Sequence, residues 1–374
     1  MTRESLNAEI RRCFIPVPEL PHAYGTAPGR GRIKQNADDF QVDEILGFEP
    51  EGEGPHAWLQ IRKRGTNTAW LAGELARLAG VARREVGYAG LKDRAAVTSQ
   101  WFSVPMEGRA EPDWAAIASP EVALLRVTRH RKKLRRGIQK ANRFQIRVQH
   151  FEGNRESLLA RARDVTSGGV PNYFGEQRFG RDGGNIASAW GMLVEGKRVR
   201  DRQLRGLYLS AARSMLFNRV LARRVREDSW RRAIPGEALM LDGSHSVFNL
   251  AEPDAEIHQR LERMDVHPTG PMRGSGDAIA SGQALALEES ALRGCAAWCE
   301  GLDNAGLKHA RRALRVPVAD LEAAFESPDR LTLAFVLPAG AYATMVLREL
   351  VDSVNSGTNT GTSSSLSPSG RGPG

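Results

Sequence analysis

Cysteine is almost missing from this chain of 374 residues, which holds three: Cys13, Cys295 and Cys299. So few, and an odd number, exclude the dense disulfide framework of small secreted domains. Cys295 and Cys299 lie four apart, which puts them on one face of a helix as two half-buried thiols with no further ligands nearby for a metal. Long apolar runs are missing too. No stretch approaches the roughly 20 residues that a membrane-spanning helix needs, and the mean hydropathy is −0.40. Residues 1–13 carry Arg3, Glu4, Glu9, Arg11 and Arg12 and no apolar stretch of signal-peptide type, so a cytoplasmic location is expected. The zinc-deaminase pattern of HxE followed by CxxC is absent, which argues against metal-assisted deamination of a base. No glycine fingerprint for a dinucleotide or a methyl donor occurs. An enzyme built on this chain would work with side chains alone, without metal or cofactor, and a carboxylate is the natural candidate.

What the chain has in excess is positive charge: 53 Lys and Arg against 44 Asp and Glu, a net charge of +9. That is the footprint of a protein acting on a polyanion. Residues 126–147 concentrate it in Arg126, Arg129, Arg131, Lys132, Lys133, Arg135, Arg136, Lys140, Arg143 and Arg147, with no Asp or Glu. A solvated face normally interleaves both signs. A single-sign run reads instead as a phosphate-contacting strip, in which Arg131, Lys132 and Arg135 are expected on an RNA backbone.

Periodicity organises the rest. Residues 66–80 predict a helix capped by Asn67 or Thr68, with Gly80 just past its end and Leu71, Leu75 and Leu78 on a core face. A short strand is expected at 85–89, a polar turn at 90–94 and an extended segment at 100–104. Asp93 therefore falls in a loop between extended segments, where catalytic groups concentrate. On its own it reads as a turn carboxylate paired with Lys92 or Arg94. Ser210 is placed to cap a helix, and residues 269–276, with Gly270, Pro271, Gly274 and Gly276, read as a flexible loop rather than a phosphate cradle. Residues 331–337 alternate as a mostly buried strand, 338–340 turn, and 341–351 continue as a helix. Residues 352–374 are Ser, Gly, Thr, Asn and Pro with few apolar residues, and disorder is expected there.

The segment GYAGLKDRAAVTSQWFSV at 87–104 resembles the catalytic motif of the tRNA pseudouridine synthase D (TruD) family. Five further segments resemble that family in order and spacing: KQNADDFQVDE at 34–44, RHRKKLRRGIQKANRF at 129–144, GGVPNYFGEQRFGRDGGN at 168–185, LSAARSMLFN at 209–218 and LPAGAYATMVLREL at 337–350. The resemblance covers residues 31–351. It implies isomerisation of uridine to pseudouridine at position 13 of tRNA, with Asp93 as the catalytic carboxylate. It also implies that Phe40, Asn142 and Tyr342 contact the target nucleotide, that Lys34 is the charge partner of Asp93, and that Phe144 is a packing or stacking surface. The family commonly has Phe where this chain has Tyr342; a tyrosine ring can still stack. NYFGEQRFG at 172–180 is expected to be a tightly packed junction, with Arg178 and Arg181 able to touch RNA.

The fold implied is α+β: a pseudouridine synthase catalytic domain with a mixed, mainly antiparallel sheet from residues 1–167 and 316–351, and an inserted α/β TRUD domain at 168–315. The partner implied is tRNA, bound by a monomer with no obligatory protein partner. The rivals are a non-catalytic tRNA-binding protein on the same scaffold and a carboxylate-based nucleosidase or nuclease. The first would leave Asp93 idle, and the second would change the mass of the RNA.

Overall fold

The computed structural model describes residues 3–355. The first part of the chain forms α1 (Arg3–Cys13), β1 (Gly29–Ile33), β2 (Phe40–Ile45), β3 (His56–Arg64), α2 (Thr68–Ala79), β4 (Gly87–Tyr88), β5 (Val97–Pro105), β6 (Val122–His130), β7 (Ala141–Gly153) and α3 (Arg155–Gly168). A middle region follows with β8 (Val170–Pro171), α4 (Gly184–Leu193), α5 (Arg202–Arg226), β9 (Glu237–Leu241), β10 (Val247–Leu250), α6 (Ala255–Glu262), β11 (Val266–Met272), α7 (Gly282–Ala291), α8 (Ala296–Asp303), β12 (Ala310–Ala313) and β13 (Arg315–Val316). The chain then returns through β14 (Ala319–Ser327), β15 (Arg330–Pro338), α9 (Ala343–Leu350) and β16 (Asp352–Asn355).

The principal sheet runs in the order β14-β15-β7-β2-β5-β3-β6, with β1 and β16 beyond β7 and β4 on β5. It is mixed: β2 with β5 and β1 with β16 are parallel, and its other pairings are antiparallel. The apolar alternation of β15 buries Leu331, Leu333, Phe335 and Leu337. That stripe fixes its register on β7, from Leu331 opposite Val148 to Pro338 opposite Ala141, because a slip of one residue would turn it to solvent. A segment remote in sequence is thereby returned to the sheet, between β14 and β7.

Helices pack on this sheet in two places. In one, α2 sets Leu71 and Leu75 on Leu59, Ile61 and Phe102. Asn67 caps that helix, its side chain accepting from the amides of Ala69 at 2.7 Å and Trp70 at 3.3 Å, and Gly80 ends it at φ 64°. In the other, α9 buries Met345 and Leu347 in an apolar cluster that runs on into α5 through Met215 and Phe217. In the middle region the order β10-β9-β11-β12 is antiparallel throughout. The pairing of Val170 with Val316 and Pro171 with Arg315 joins the points where the chain leaves and rejoins the principal sheet. Among the described residues no helix is long and apolar enough to cross a membrane.

Several expectations are corrected. Asp352–Asn355 is not disordered; it pairs in parallel with β1, Arg30 opposite Asp352, because backbone donors and acceptors can complete a sheet edge whatever the side chains. The remainder of the expected disordered tail lies outside the described residues. The strand expected at 85–89 is only Gly87–Tyr88 and follows a single 3-10 turn over Arg83–Glu85. The helix assigned to a Ser210 cap starts earlier, at Arg202, where Asp201 accepts from the amides of Gln203 and Leu204. Ser210 lies inside it. The stretch at 269–276 is not a flexible loop at its start, since Thr269–Met272 belong to buried β11. Gly270 is there for closeness: an added Cβ would lie 2.9 Å from Leu314 and 3.0 Å from Phe217. Finally, Cys13 and Cys295 form a disulfide across 282 residues of sequence. Scarcity of cysteine excludes a framework, but not one bridge between segments that only the fold brings together. Cys295 is fully buried ahead of α8, and Cys299 is the free, half-buried thiol.

Candidate active site

The loop that carries Asp93 is pinned from several sides. Thr68 Oγ1, at the start of α2, accepts from the Lys92 amide at 3.2 Å and donates to Gln100 Oε1 at 2.8 Å, while Gln100 Nε2 reaches the Gly90 carbonyl at 3.3 Å. Arg94 donates to the Gly65 carbonyl. Lys92, almost buried, donates to Glu44 Oε2 at 2.8 Å, and Glu44 Oε1 accepts from the Trp101 amide. Neither flanking cation is therefore the partner of Asp93. That partner is Lys34, whose Nζ forms a hydrogen-bonded ion pair with Asp93 Oδ2. The other carboxylate oxygen accepts from the Ala95 amide at 3.0 Å.

Lys34 holds a left-handed backbone with φ 55°, a conformation costing on the order of 1–3 kcal/mol in a residue with a Cβ. Its ammonium also lies 4.2 Å from the centroid of the Phe40 ring, a cation–π contact. Partial burial pushes the Asp93 carboxyl up. The hydrogen bond and charge of Lys34, the Ala95 amide and the charge of Lys63 outweigh that push and hold it below the usual carboxylate range. Lys63 is fully buried, donates to the Thr66 carbonyl at 2.7 Å, and is itself lowered to about 8, chiefly by burial.

Sheet register gathers the next residues. Phe40 is opposite Ile146, Val42 opposite Phe144 and Glu44 opposite Asn142. Residues directly opposite share a face, so Phe40, Phe144 and Asn142 point to the side where Lys34 and Asp93 meet. Phe40 meets Phe144 edge-on at 6.2 Å, and Phe144 stacks on Phe335 at 5.4 Å. Phe144 is thus a core residue beneath Phe40. Asn142 is half-buried, and its Oδ1 has no hydrogen-bond partner among the described residues. Tyr342 follows the turn after β15, whose Leu337 is the other neighbour of Asn142. Its hydroxyl accepts from Arg178 Nη2 at 3.1 Å, and Arg178 also donates to Ser210 Oγ at 2.8 Å. Arg312 lies over Phe174, 4.2 Å from the ring centroid, and burial lowers its pKa to about 10. Residues 34, 40, 93, 142 and 144 are thus one neighbourhood. Tyr342 stands at the same end of β7 as Asn142, in a separate cluster with Arg178 and Phe174.

The basic run is less uniform than its sequence implies. Glutamates from other segments meet part of it: Arg126 pairs with Glu49, Arg129 with Glu111, and Arg131 with Glu53 at 2.6 Å and Glu51 at 3.6 Å. The acidic partners are simply distant in sequence. Lys132, Arg135 and Lys140 are exposed and have no carboxylate partner among the described residues. Their loop lies against β4, with the Gly137 amide on the Ala89 carbonyl at 2.8 Å and Arg136 over the Tyr88 ring. It therefore flanks the segment leading to Asp93. Sequence reasoning alone does not single out Glu44, Lys63 or Arg312, and it offers Lys92 only as a partner of Asp93, not of Glu44. Their one signal is that Glu44 and Lys92 sit inside segments that resemble the family.

Comparison with known proteins gives the family and the fold. The family model described as "tRNA pseudouridine synthase D (TruD)" matches residues 21–198 and 191–350. A Methylococcus capsulatus protein named tRNA pseudouridine synthase D is 52% identical over 334 residues, 89% of this chain and 94% of that one. One of the same name from Nitrosococcus oceani is 51% identical over 333 residues, 88% and 93% of the two chains. A solved Methanosarcina mazei structure, whose description names tRNA pseudouridine synthase D, superposes with a TM-score of 0.70 at 23% identity. It covers 93% of this chain and 98% of its own, and it shows a shared fold.

Proposed function

The chain belongs to the tRNA pseudouridine synthase D family, and from that footing we propose that it isomerises uridine to pseudouridine in tRNA, at position 13, with Asp93 as the catalytic carboxylate. In this reaction the N1–C1′ glycosidic bond is exchanged for a C5–C1′ bond. C5 loses a proton and N1 ends with one, so no electrons enter or leave. The residues have to stabilise an electron-poor sugar and hold a detached base. An ionised carboxylate serves the first need as nucleophile or base.

One observation carries the reading: Asp93, in the family's motif, is kept ionised by Lys34 while its side chain remains 31% exposed. Phe40 and Tyr342 are the aromatic surfaces for the extruded base, a stacking contribution of about 1–3 kcal/mol each. The unpartnered Oδ1 of Asn142 suits the N3–H donor of uracil. Arg131, Lys132 and Arg135 contact the RNA backbone. Residues 1–167 and 316–351 make up the catalytic domain, 168–315 are an insertion, and tRNA lies in the basic cleft between them. The enzyme acts as a monomer in the cytoplasm. The test uses tRNA tritiated at uracil C5, since C5 must release its hydrogen. Asp93→Asn should slow release by on the order of 10³-fold or more while tRNA affinity stays within about twofold. Turnover retained in Asp93→Asn would overturn the assignment.

A further inference from the structure

A cavity of about 490 Å³ lies between α1 and α5, lined by Arg11, Arg219, Arg223 and Arg226, with Glu19 its one carboxylate. On α5 the three arginines stand at i, i+4 and i+7, one face of the helix. Arg11 comes from α1, which precedes the residues matched by the family model. The two walls are fastened together. Arg219 donates from Nε to the Ala291 carbonyl and from Nη1 to the Arg12 carbonyl, both at 2.7 Å. Cys13, two residues on from Arg11, is bonded to Cys295. Phe14 packs edge-on against Phe179 at 5.2 Å.

Two of the four guanidiniums are already engaged, Arg219 with those carbonyls and Arg223 with Glu227 at 2.8 Å. Arg11 and Arg226 are exposed and have no carboxylate partner among the described residues. Four cations are gathered round one cavity against Glu19 and the Glu227 partner of Arg223, an excess of positive charge that an anion held there would relieve, and guanidinium groups suit phosphate oxygens. The cavity is not the catalytic neighbourhood. Arg219 lies nine residues beyond Ser210 on α5, about 13.5 Å at 1.5 Å per residue, and Ser210 is where the helix meets the Arg178–Tyr342 cluster.

We propose that this arginine-lined cavity is a second phosphate site, which holds the backbone of the bound tRNA at a point away from the target uridine. It rests on the reading of the chain as a tRNA-modifying enzyme. The α1 segment, which precedes the residues matched by the family model, supplies one wall, and α5, which lies within them, supplies the other.

The test is the double substitution Arg11→Gln with Arg226→Gln, which removes charge without breaking a hydrogen bond that fastens the walls. Filter binding of full-length tRNA at several salt concentrations should show roughly tenfold weaker binding near 0.1 M salt. The slope of log K against log salt should be shallower by about 1 to 2, since each neutralised phosphate contributes about 0.9. Tritium release at saturating tRNA and the melting temperature should match the unsubstituted protein. Unchanged affinity and slope would overturn the proposal. So would inorganic pyrophosphate raising the melting temperature of the unsubstituted protein, but not of the double variant, while tRNA affinity is equal in both; the cavity would then hold a free anion. If the unsubstituted protein releases no tritium and the double variant still loses tRNA affinity, the catalytic reading fails and the phosphate site stands.

Discussion

In the middle region Arg311 is enclosed and bonded through four of its five N–H donors. It gives hydrogen bonds to both Glu288 oxygens, at 3.0 and 2.6 Å, and to Thr269 Oγ1 and O at 2.9 and 2.8 Å, with the guanidinium fully buried. Arg224 is likewise buried, bonded to Glu237 Oε2 and to the carbonyls of Ser229 and Arg232, although Glu237 Oε1 has no partner among the described residues. Lys34 and Asp93 are also a cation and a carboxylate, but 23% and 31% exposed, and the Asp93 oxygens otherwise take only the Ala95 amide among the described residues. A carboxylate has about four acceptor positions, so Asp93 keeps capacity that the fold does not use. A buried pair is architecture: removing either partner strands a buried charge. A partly exposed pair at a sheet-end loop has room for a reacting group.

The sharpest way to break that contrast is Glu288→Ala. It leaves Arg311 buried without its counter-charge and should cost about 3–5 kcal/mol of stability, read as a lower urea midpoint and melting temperature. Activity per folded molecule should be preserved; a selective loss of turnover would place Glu288 in the chemistry. Lys34→Met should do the opposite, with modest effect on folding and a clear effect on the acid side of the pH–rate profile. Asp93 is held below its ordinary range, so it is ionised down to a lower pH than a free carboxyl. Without Lys34 the upward push of burial is opposed only by the Ala95 amide and Lys63, so the acid limb moves to higher pH. The same shift fixes the sign for stability. A depressed carboxylate stabilises the fold above the unfolded range, and that contribution is lost as pH falls through the folded value. The stability gap between Lys34→Met and the unsubstituted protein should therefore be widest at neutral pH and close on acidification. A pH-independent gap would mean that Lys34 acts through packing.

The smallest effect is expected in the basic loop, where the contrast is between engaged and unengaged cations. Lys132→Gln with Arg135→Gln should make the salt dependence of tRNA binding shallower by roughly 0.9 for each phosphate no longer neutralised. Arg131→Gln should change it less, because that guanidinium is already held by Glu51 and Glu53. Equal slopes in the unsubstituted protein and both variants would return the loop to a solvated surface.

How far the site is legible in the sequence follows from the range of the interactions involved. The α2 helix can be read locally because its cap, its apolar stripe and its terminal glycine lie within one short segment. β15 and its turn are legible for the same reason: alternation followed by Pro338 and Gly340. The start of α5 is hidden because Leu204 and Leu207 are exposed, so the helical stripe becomes plain only where the buried residues begin at Leu209. The paired half of the basic run looks unpaired because Glu49, Glu51, Glu53 and Glu111 lie in other segments of the chain. The Cys13–Cys295 bridge and the pairing of β16 with β1 join residues just as remote in sequence, and no local pattern announces them.

Motif order and composition are properties of the chain, and from them alone follow the family, the placement of Asp93 in a polar loop and the excess of positive charge. Taken alone, Asp93 is a turn carboxylate with Lys92 or Arg94 beside it. Folding in three dimensions is what turns Lys92 away to buried Glu44 and brings in Lys34, 59 residues earlier, as the ion-pair partner. It is also what sets Phe40, Phe144 and Asn142 on one face of the sheet. Charge pairing and cross-strand register depend on distance in space, and spacing along the chain does not encode it.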